Sequence, residues 1–390
     1  MNGNVKRWLG LGLAVLIAVA VFVGGVLLIQ RNQPAATASA SPSPAAVSVT
    51  CIGGSEKAAL MADPKVKGIL HDKYGVDVTF VSMGSYDQVS LKDDELKARG
   101  SDCLWPSSVS AQYVFEANHK TSAYPGYRAE TVLQSPEVIY AGPSATDALV
   151  KAGIVEDRNG EFVIVDMKKL ILDYMEKGAS WSDLAAVGIS GPVQISSTDP
   201  AKSNSGFTLY QLILTLLSTS DVQQAPDVQQ AKASMARLRA LYDSQGLQAR
   251  SSDAGFEQWL LQGAEAHAPL YAGYESQIIQ KAVAYADNAA AKDLLGKQVR
   301  ILYPEPTIYS DHPVLALDAN AGLFLDAMKD HDIQDIAWKT YGFRSGTELG
   351  LNNVKDFPDL ALAQQIKTTS PPNAAVTQLM LSCIRDNACS

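Results

Sequence analysis

With 390 residues, 47% hydrophobic and 19% charged, the chain can bury a large core, and its length suits two lobes or domains. A formal net charge of −9 at pH 7 excludes a general nucleic-acid binder. A local anion site stays open, because hydrogen-bond donors act at short range while the global field is screened.

Residues 1–7 form a short basic N-terminus carrying Lys6 and Arg7, expected on the cytoplasmic side. Trp8–Ile29 is an uncharged apolar run of 22 residues, long enough to span a bilayer. It is expected as a single-pass membrane anchor with an extracytoplasmic body. The other reading is a signal peptide, with Ala38-Ser39-Ala40 as a small-residue cleavage site. Residues 30–46 are rich in Pro, Ala, Ser and Thr, lack the apolar surface to fold, and read as an extended tether.

The body begins with a β-turn-α alternation. Val47–Ile52 is expected as a strand, 53–56 as a turn into a helix, and Val76–Val81 as the next strand, ending in the turn 83–87. A helix near 91–99 leads to a third strand, Asp102–Trp105, ending at Pro106-Ser107-Ser108. This order implies a parallel sheet whose ligands bind beyond the carboxyl ends of its strands. A second unit, from about 143 to 265, has a strand at Phe162–Val165, a helix at Met167–Lys177, a strand at Gly191–Ser196 and a long helical region at 223–247. Further strands are expected at 268–274, Val299–Tyr303 and Val314–Leu317, with helices near 319–328 and 332–341. From 349 the chain reads as a polar tail packed on the body or loosely tied to it.

The stretch Ser203-Asn204-Ser205-Gly206 follows the strand-like run 191–196 and the turn 197–200, and opens an apolar helical pattern through Leu217. A helix N-terminus built this way presents unpaired N–H groups and the positive dipole end to an anion or strong acceptor. Together with the three earlier turns it points to a polar binding cleft. Gly84 and Gly206 are read as places where backbone approaches the ligand closely.

Four cysteines in an exported chain predict disulfides. Cys383 and Cys389 are six apart and close a small loop; Cys51 and Cys103 meet if their strands are register neighbours.

The ordered motifs GGSEK, GVDVTFVSMGSYD, CLWPSS, SWSDL, TDPAKSNSG, YAGYESQII, YPEPTIYSDHPVLAL and WKTYGFRSG make residues 47–348 resemble the type II periplasmic binding-protein superfamily, the solute-binding proteins of ABC importers. The similarity leans toward the molybdate, tungstate and phosphate binders. The resemblance implies an α/β fold of two lobes, 47–140 plus 270–348 and 141–269, joined by crossovers near 138–141 and 270–273. It implies ligand contacts on Ser55, Gly84, Ser85, Ser107, Ser108, Ser203, Asn204, Ser205 and the hinge residue Tyr274. The implied partners are a small polar or anionic solute and an ABC permease in the membrane. Lys57 and Lys202 are the cations read beside these turns.

Enzyme readings find little. The five histidines have no metal-ligand spacing, and neither HExxH nor a G-x-S-x-G elbow occurs. No metal, cofactor or catalytic residue is expected. His312 reads as a structural turn residue, Trp105 as core packing, Glu56 as helix-dipole stabilisation and Arg344 as a cation near a helix C-terminus. Glu275 reads either as a ligand acceptor or as an acceptor of backbone donors at the hinge. The expected function is a solute-binding protein. The alternative is a ligand-free interaction or assembly module that keeps the fold, and a hydrolase would need a nucleophile–base pair.

Overall fold

The structure, a computed structural model, describes residues 46–246 and 248–389. The expected anchor at 8–29 and nearly all of the tether lie outside the described residues. Among the described residues no helix is long and apolar enough to cross a membrane.

Strand β1 (Val47–Gly53) runs parallel to β2 (Val76–Ser82) on one side and to β3 (Cys103–Trp105) on the other. Val49 and Cys51 face one hydrophobic cluster and Ile52 the other, so β1 alternates between two faces and is covered on both at its carboxyl end. Cys51 pairs in register with Cys103, and the two sulfurs form a disulfide, as the strand reading anticipated. Strand β4 (Arg128–Ala141) is 14 residues long and serves two sheets. Further strands are β5 (Val155–Arg158), β6 (Glu161–Ile164), β7 (Ile195–Ser196), β8 (Leu270–Tyr274), β9 (Arg300–Pro304), β10 (Tyr309–Ala316) and β11 (Arg344–Ser345).

The first sheet runs β2-β1-β3-β10-β4-β11, and the second runs β5-β6-β9-β4-β8-β7. Each sheet carries helices and forms one lobe. The expected crossover segments pair directly, Val138 with Gly273 and Ala141 with Leu270. The sequence reading places 270–348 with the first lobe, whereas the strand pairings put β8 and β9, residues 270–274 and 300–304, in the second sheet.

Two other expectations change. The strand expected at 191–196 shrinks to Ile195–Ser196, because residues 191–193 pair instead with the segment 179–181, Pro192 lying opposite Ser180 in an isolated antiparallel bridge. The strand expected at 314–317 begins earlier, at Tyr309, so His312 lies mid-strand and fully buried rather than in a turn. A register shift between His312 and Pro313 accommodates the proline.

Five helices matter for the site: α1 (Val109–Asn118), α2 (Asn204–Thr219), α3 (Val228–Ser244), α4 (Ser252–Leu261) and α5 (Glu275–Ala284). A sixth, α6 (Ala374–Asp386), lies in the expected tail. It packs against α1 of the first lobe and α3 of the second, burying Val376, Met380, Leu381 and Ile384. Cys383 and Cys389 form the expected disulfide at its end.

Candidate functional site

Parallel pairing sets Gly53 opposite both Ser82 and Trp105, so three strands end side by side. Each end turns directly into a helical segment: Ser55–Lys57 as a 3₁₀ turn, Ser85–Gln88 as a single helical turn, and α1 capped by Ser108. From the second lobe, α2 and α4 bring their N-termini to the same place. The first N–H groups of a helix have no intrahelical partner, so these starts collect donors and positive dipole ends in one region. They enclose a cavity of about 180 Å³ between the lobes.

Six of the nine expected residues line this cavity: Ser55, Gly84, Ser85, Ser107, Ser203 and Asn204. The other three do not. Ser108 Oγ accepts from the Ala111 N–H as the α1 cap. Ser205 Oγ is engaged with Thr198 and Ser252. Tyr274 is fully buried behind the wall, where its hydroxyl accepts from Asn204 Nδ2 at 3.0 Å. The glycines act differently from expectation. A Cβ on Gly84 would come within 2.5 Å of the Lys202 carbonyl oxygen, so Gly84 permits the two lobes to touch. A Cβ on Gly206 would come within 2.0 Å of the Thr198 carbonyl oxygen, so Gly206 seats α2 on its preceding turn.

Sequence reasoning missed Arg250, Ser251 and Ser252 as lining residues. Ser251 caps α4, its Oγ accepting from the Ala254 N–H, and Ser before an apolar helical pattern is a readable start signal. No strand precedes it, so the strand-end rule passed it over. Arg250 is exposed and makes no ion pair among the described residues.

Glu56 also lines the cavity, and its role exceeds dipole stabilisation. Behind it, Lys57 is fully buried, with Nζ 2.5 Å from Glu56 Oε1, 3.0 Å from Ser107 Oγ and 3.2 Å from His312 Nδ1. Ser107 Oγ donates to the same Glu56 oxygen. These bonds all fall on Oε1, leaving Oε2 without a partner among the described residues. Burial alone would raise the Glu56 carboxyl, but Lys57 and His312 outweigh it and hold the group far below the usual carboxylate range. Burial lowers the Lys57 ammonium, against the pull of Glu56. Burial and the Lys57 charge push His312 down to about 4, so its imidazole is neutral near pH 7. With Lys57 donating to Nδ1, the network assigns the ring proton to Nε2, which is buried without a partner.

Asn204 spans the cavity. Its Nδ2 donates to the Ser107 carbonyl oxygen across the lobes, and its buried Oδ1 has no partner. Trp105 is core, as expected: it is fully buried and donates through Nε1 to the His312 carbonyl oxygen. Glu275 takes neither of its expected roles. It accepts two bonds from Arg344, at 2.7 and 2.8 Å, and one from the Tyr303 hydroxyl at 2.6 Å. Arg344 is therefore a buried ion-pair partner and not a cation at a helix end. Among the described residues no cluster of His, Cys, Asp or Glu is placed to hold a metal.

Two α/β lobes around such a cavity can be compared with solved structures. A Trichodesmium protein (IdiA, FutA) in complex with iron and citrate aligns with a TM-score of 0.51 and 10% identity, covering 88% of this chain and 99% of that one. The fold is that of the two-lobed periplasmic binding proteins. AfuA from Actinobacillus pleuropneumoniae, with fructose-6-phosphate bound, aligns with a TM-score of 0.50 and 14% identity over 88% of this chain and 98% of that one. A periplasmic thiamin binding protein gives 0.50 and 12% over 89% and 98%. These likenesses do not single out the molybdate and phosphate branch. No family model matches the chain. No curated protein matches it.

Proposed function

We propose that this chain is an extracytoplasmic solute-binding protein that closes two lobes on a small polar or anionic ligand, for handover to an ABC-type importer. The observation that carries this is the roughly 180 Å³ cavity where three parallel strand ends of one lobe meet two helix N-termini of the other. Helix-end donors, serine hydroxyls and Arg250 favour acceptor atoms or negative charge on the ligand. Glu56 Oε2 and Asn204 Oδ1 are acceptors, so the best fit also carries a hydrogen-bond donor. Two disulfides and the apolar run at 8–29 support an extracytoplasmic, membrane-tethered body.

Ser107 beside Lys57 and Glu56 resembles a nucleophile with a base. Both partners are poorly suited to that work. Lys57 is held by the Glu56 carboxylate, and a carboxylate far below its usual range is a weak proton acceptor. This chemistry supports binding over hydrolysis.

The test is a thermal-shift screen of residues 46–390 against oxyanions, amino acids, sugars and sugar phosphates, with small-angle scattering on any hit. A true ligand raises Tm with concentration by mass action and changes the scattering through lobe movement. No response to any solute would overturn the proposal in favour of an interaction module with the same fold.

A further inference from the structure

The C-terminal helix α6 lies across both lobes. On the second lobe, Arg239 of α3 donates to the Cys383 and Ile384 carbonyl oxygens at 3.1 and 3.2 Å, and Cys383 is fully buried. On the first lobe, Gln378 Nε2 donates to Asn118 Oδ1 at 2.7 Å. Arg385 bridges the two. Its Nη2 donates to Asp87 Oδ1 at 2.7 Å, and its Nε donates to the Ala201 carbonyl oxygen at 3.1 Å. Asp87 is two residues past Ser85, and Ala201 immediately precedes Lys202; Ser85 and Lys202 line the cavity on opposite lobes. The guanidinium therefore joins the two rims of the cleft, and the rims cannot part without breaking one of its bonds.

On both lobes α6 combines apolar packing, against α1 and against α3, with polar bonds that are at least partly exposed and that solvent and salt weaken. We infer that α6 is a built-in latch: Arg385, bonded to Asp87 on one rim and to Ala201 on the other, holds the cleft closed and releases one of them when it opens. Its regulatory meaning, control of ligand entry and exit, rests on the binding function proposed above. The latch itself is a statement about lobe separation alone.

The experiment measures that separation without ligand. Lys97 and Lys151 are exposed, one on each lobe, and neither makes an ion pair among the described residues. Spin labels on cysteines at these two sites give an inter-lobe distance distribution by pulsed EPR. Arg385→Ala and Asp87→Asn should each raise the long-distance population about two- to five-fold, the range for losing a partly exposed ion pair. The charge-swapped double variant, Arg385→Asp with Asp87→Arg, should return it toward wild type. All variants should melt cooperatively. Distributions that coincide in wild type and both single variants would overturn the latch. A failed solute screen would sink the binding reading and leave this result untouched, so the two failures are separable.

Discussion

Asn204 Nδ2 donates to the Ser107 carbonyl oxygen at 3.0 Å, joining the first residue of α2 to a strand-end turn of the other lobe. The same nitrogen donates to the Tyr274 hydroxyl at 3.0 Å. One buried amide thus ties together both lobes and the hinge. Asn204→Ala should remove these bonds and leave buried acceptors unpaired, costing about 1–3 kcal/mol in the closed form. Denaturant melts would read the loss, and any ligand found by screening should bind more weakly. A stability and affinity equal to wild type would show that the amide holds nothing.

Gly84→Val tests the cleft from its rim. Its side chain would meet the Lys202 carbonyl, which is backbone and cannot rotate away. The expected outcome is a folded protein with a normal melt of each lobe, a wider cleft by small-angle scattering, and lost ligand binding. Unchanged scattering and affinity would contradict the close lobe contact.

Lys57→Met should leave the Glu56 carboxylate buried and uncompensated, a loss of about 3–5 kcal/mol. Adding Glu56→Gln should recover a large part, because the stranded charge is then gone. The double-mutant comparison by chemical denaturation checks this, and a double variant no better than Lys57→Met would refute the pairing.

His312 gives the pH dependence. Its folded-state value of about 4 lies below the ordinary histidine value near 6.5. The unfolded chain therefore binds the extra proton first as pH falls, and stability declines between about 6.5 and 4, by roughly 3 kcal/mol. Glu56, held low by its partners, adds a further loss below about 4.3 as the unfolded chain protonates before the fold does. His312→Gln should flatten Tm against pH from 6.5 to 4 and leave the lower-pH decline in place.

Glu137 behaves in the opposite sense. It sits on the crossover strand β4, fully buried, with neither carboxylate oxygen paired, and burial raises its carboxyl well above the ordinary value. The fold keeps this proton while the unfolded chain loses it above about pH 4.3, so stability falls as pH rises through that window. Glu137→Gln removes the penalty. It should raise Tm near pH 7, with the gain shrinking toward pH 4, by about 1.4 kcal/mol per unit of pKa elevation removed. A destabilised variant at pH 7 would show that the carboxyl is ionised and paired in solution.

The strand-end turns were legible because each is local. Val49 and Cys51 alternate with polar residues, a Ser- or Gly-rich turn follows, and a helix start comes next, all within about ten residues. Six of the nine residues that the strand-end reading and the family resemblance together single out line the cavity. The Cys51–Cys103 pair also followed, since neighbouring parallel strands of equal phase bring such positions together.

What failed had long-range causes. Glu56 looks like an ordinary first-turn acid until His312, 256 residues away (312 − 56), is packed against it. Glu275 has no visible partner until β11 brings Arg344 beside it. Ser205 and Ser108 carry the same chemistry as their lining neighbours, and only the helix phase turned them inward to bond their own caps and turns. The sequence determined the alternation of elements, the polar strand ends and the paired cysteines, because those depend on backbone period and side-chain type over short spans. The tertiary structure decided which charges meet, which glycines let the lobes touch, and that the tail crosses both rims of the cleft, because buried electrostatics and close contacts depend on distances that only the folded chain sets.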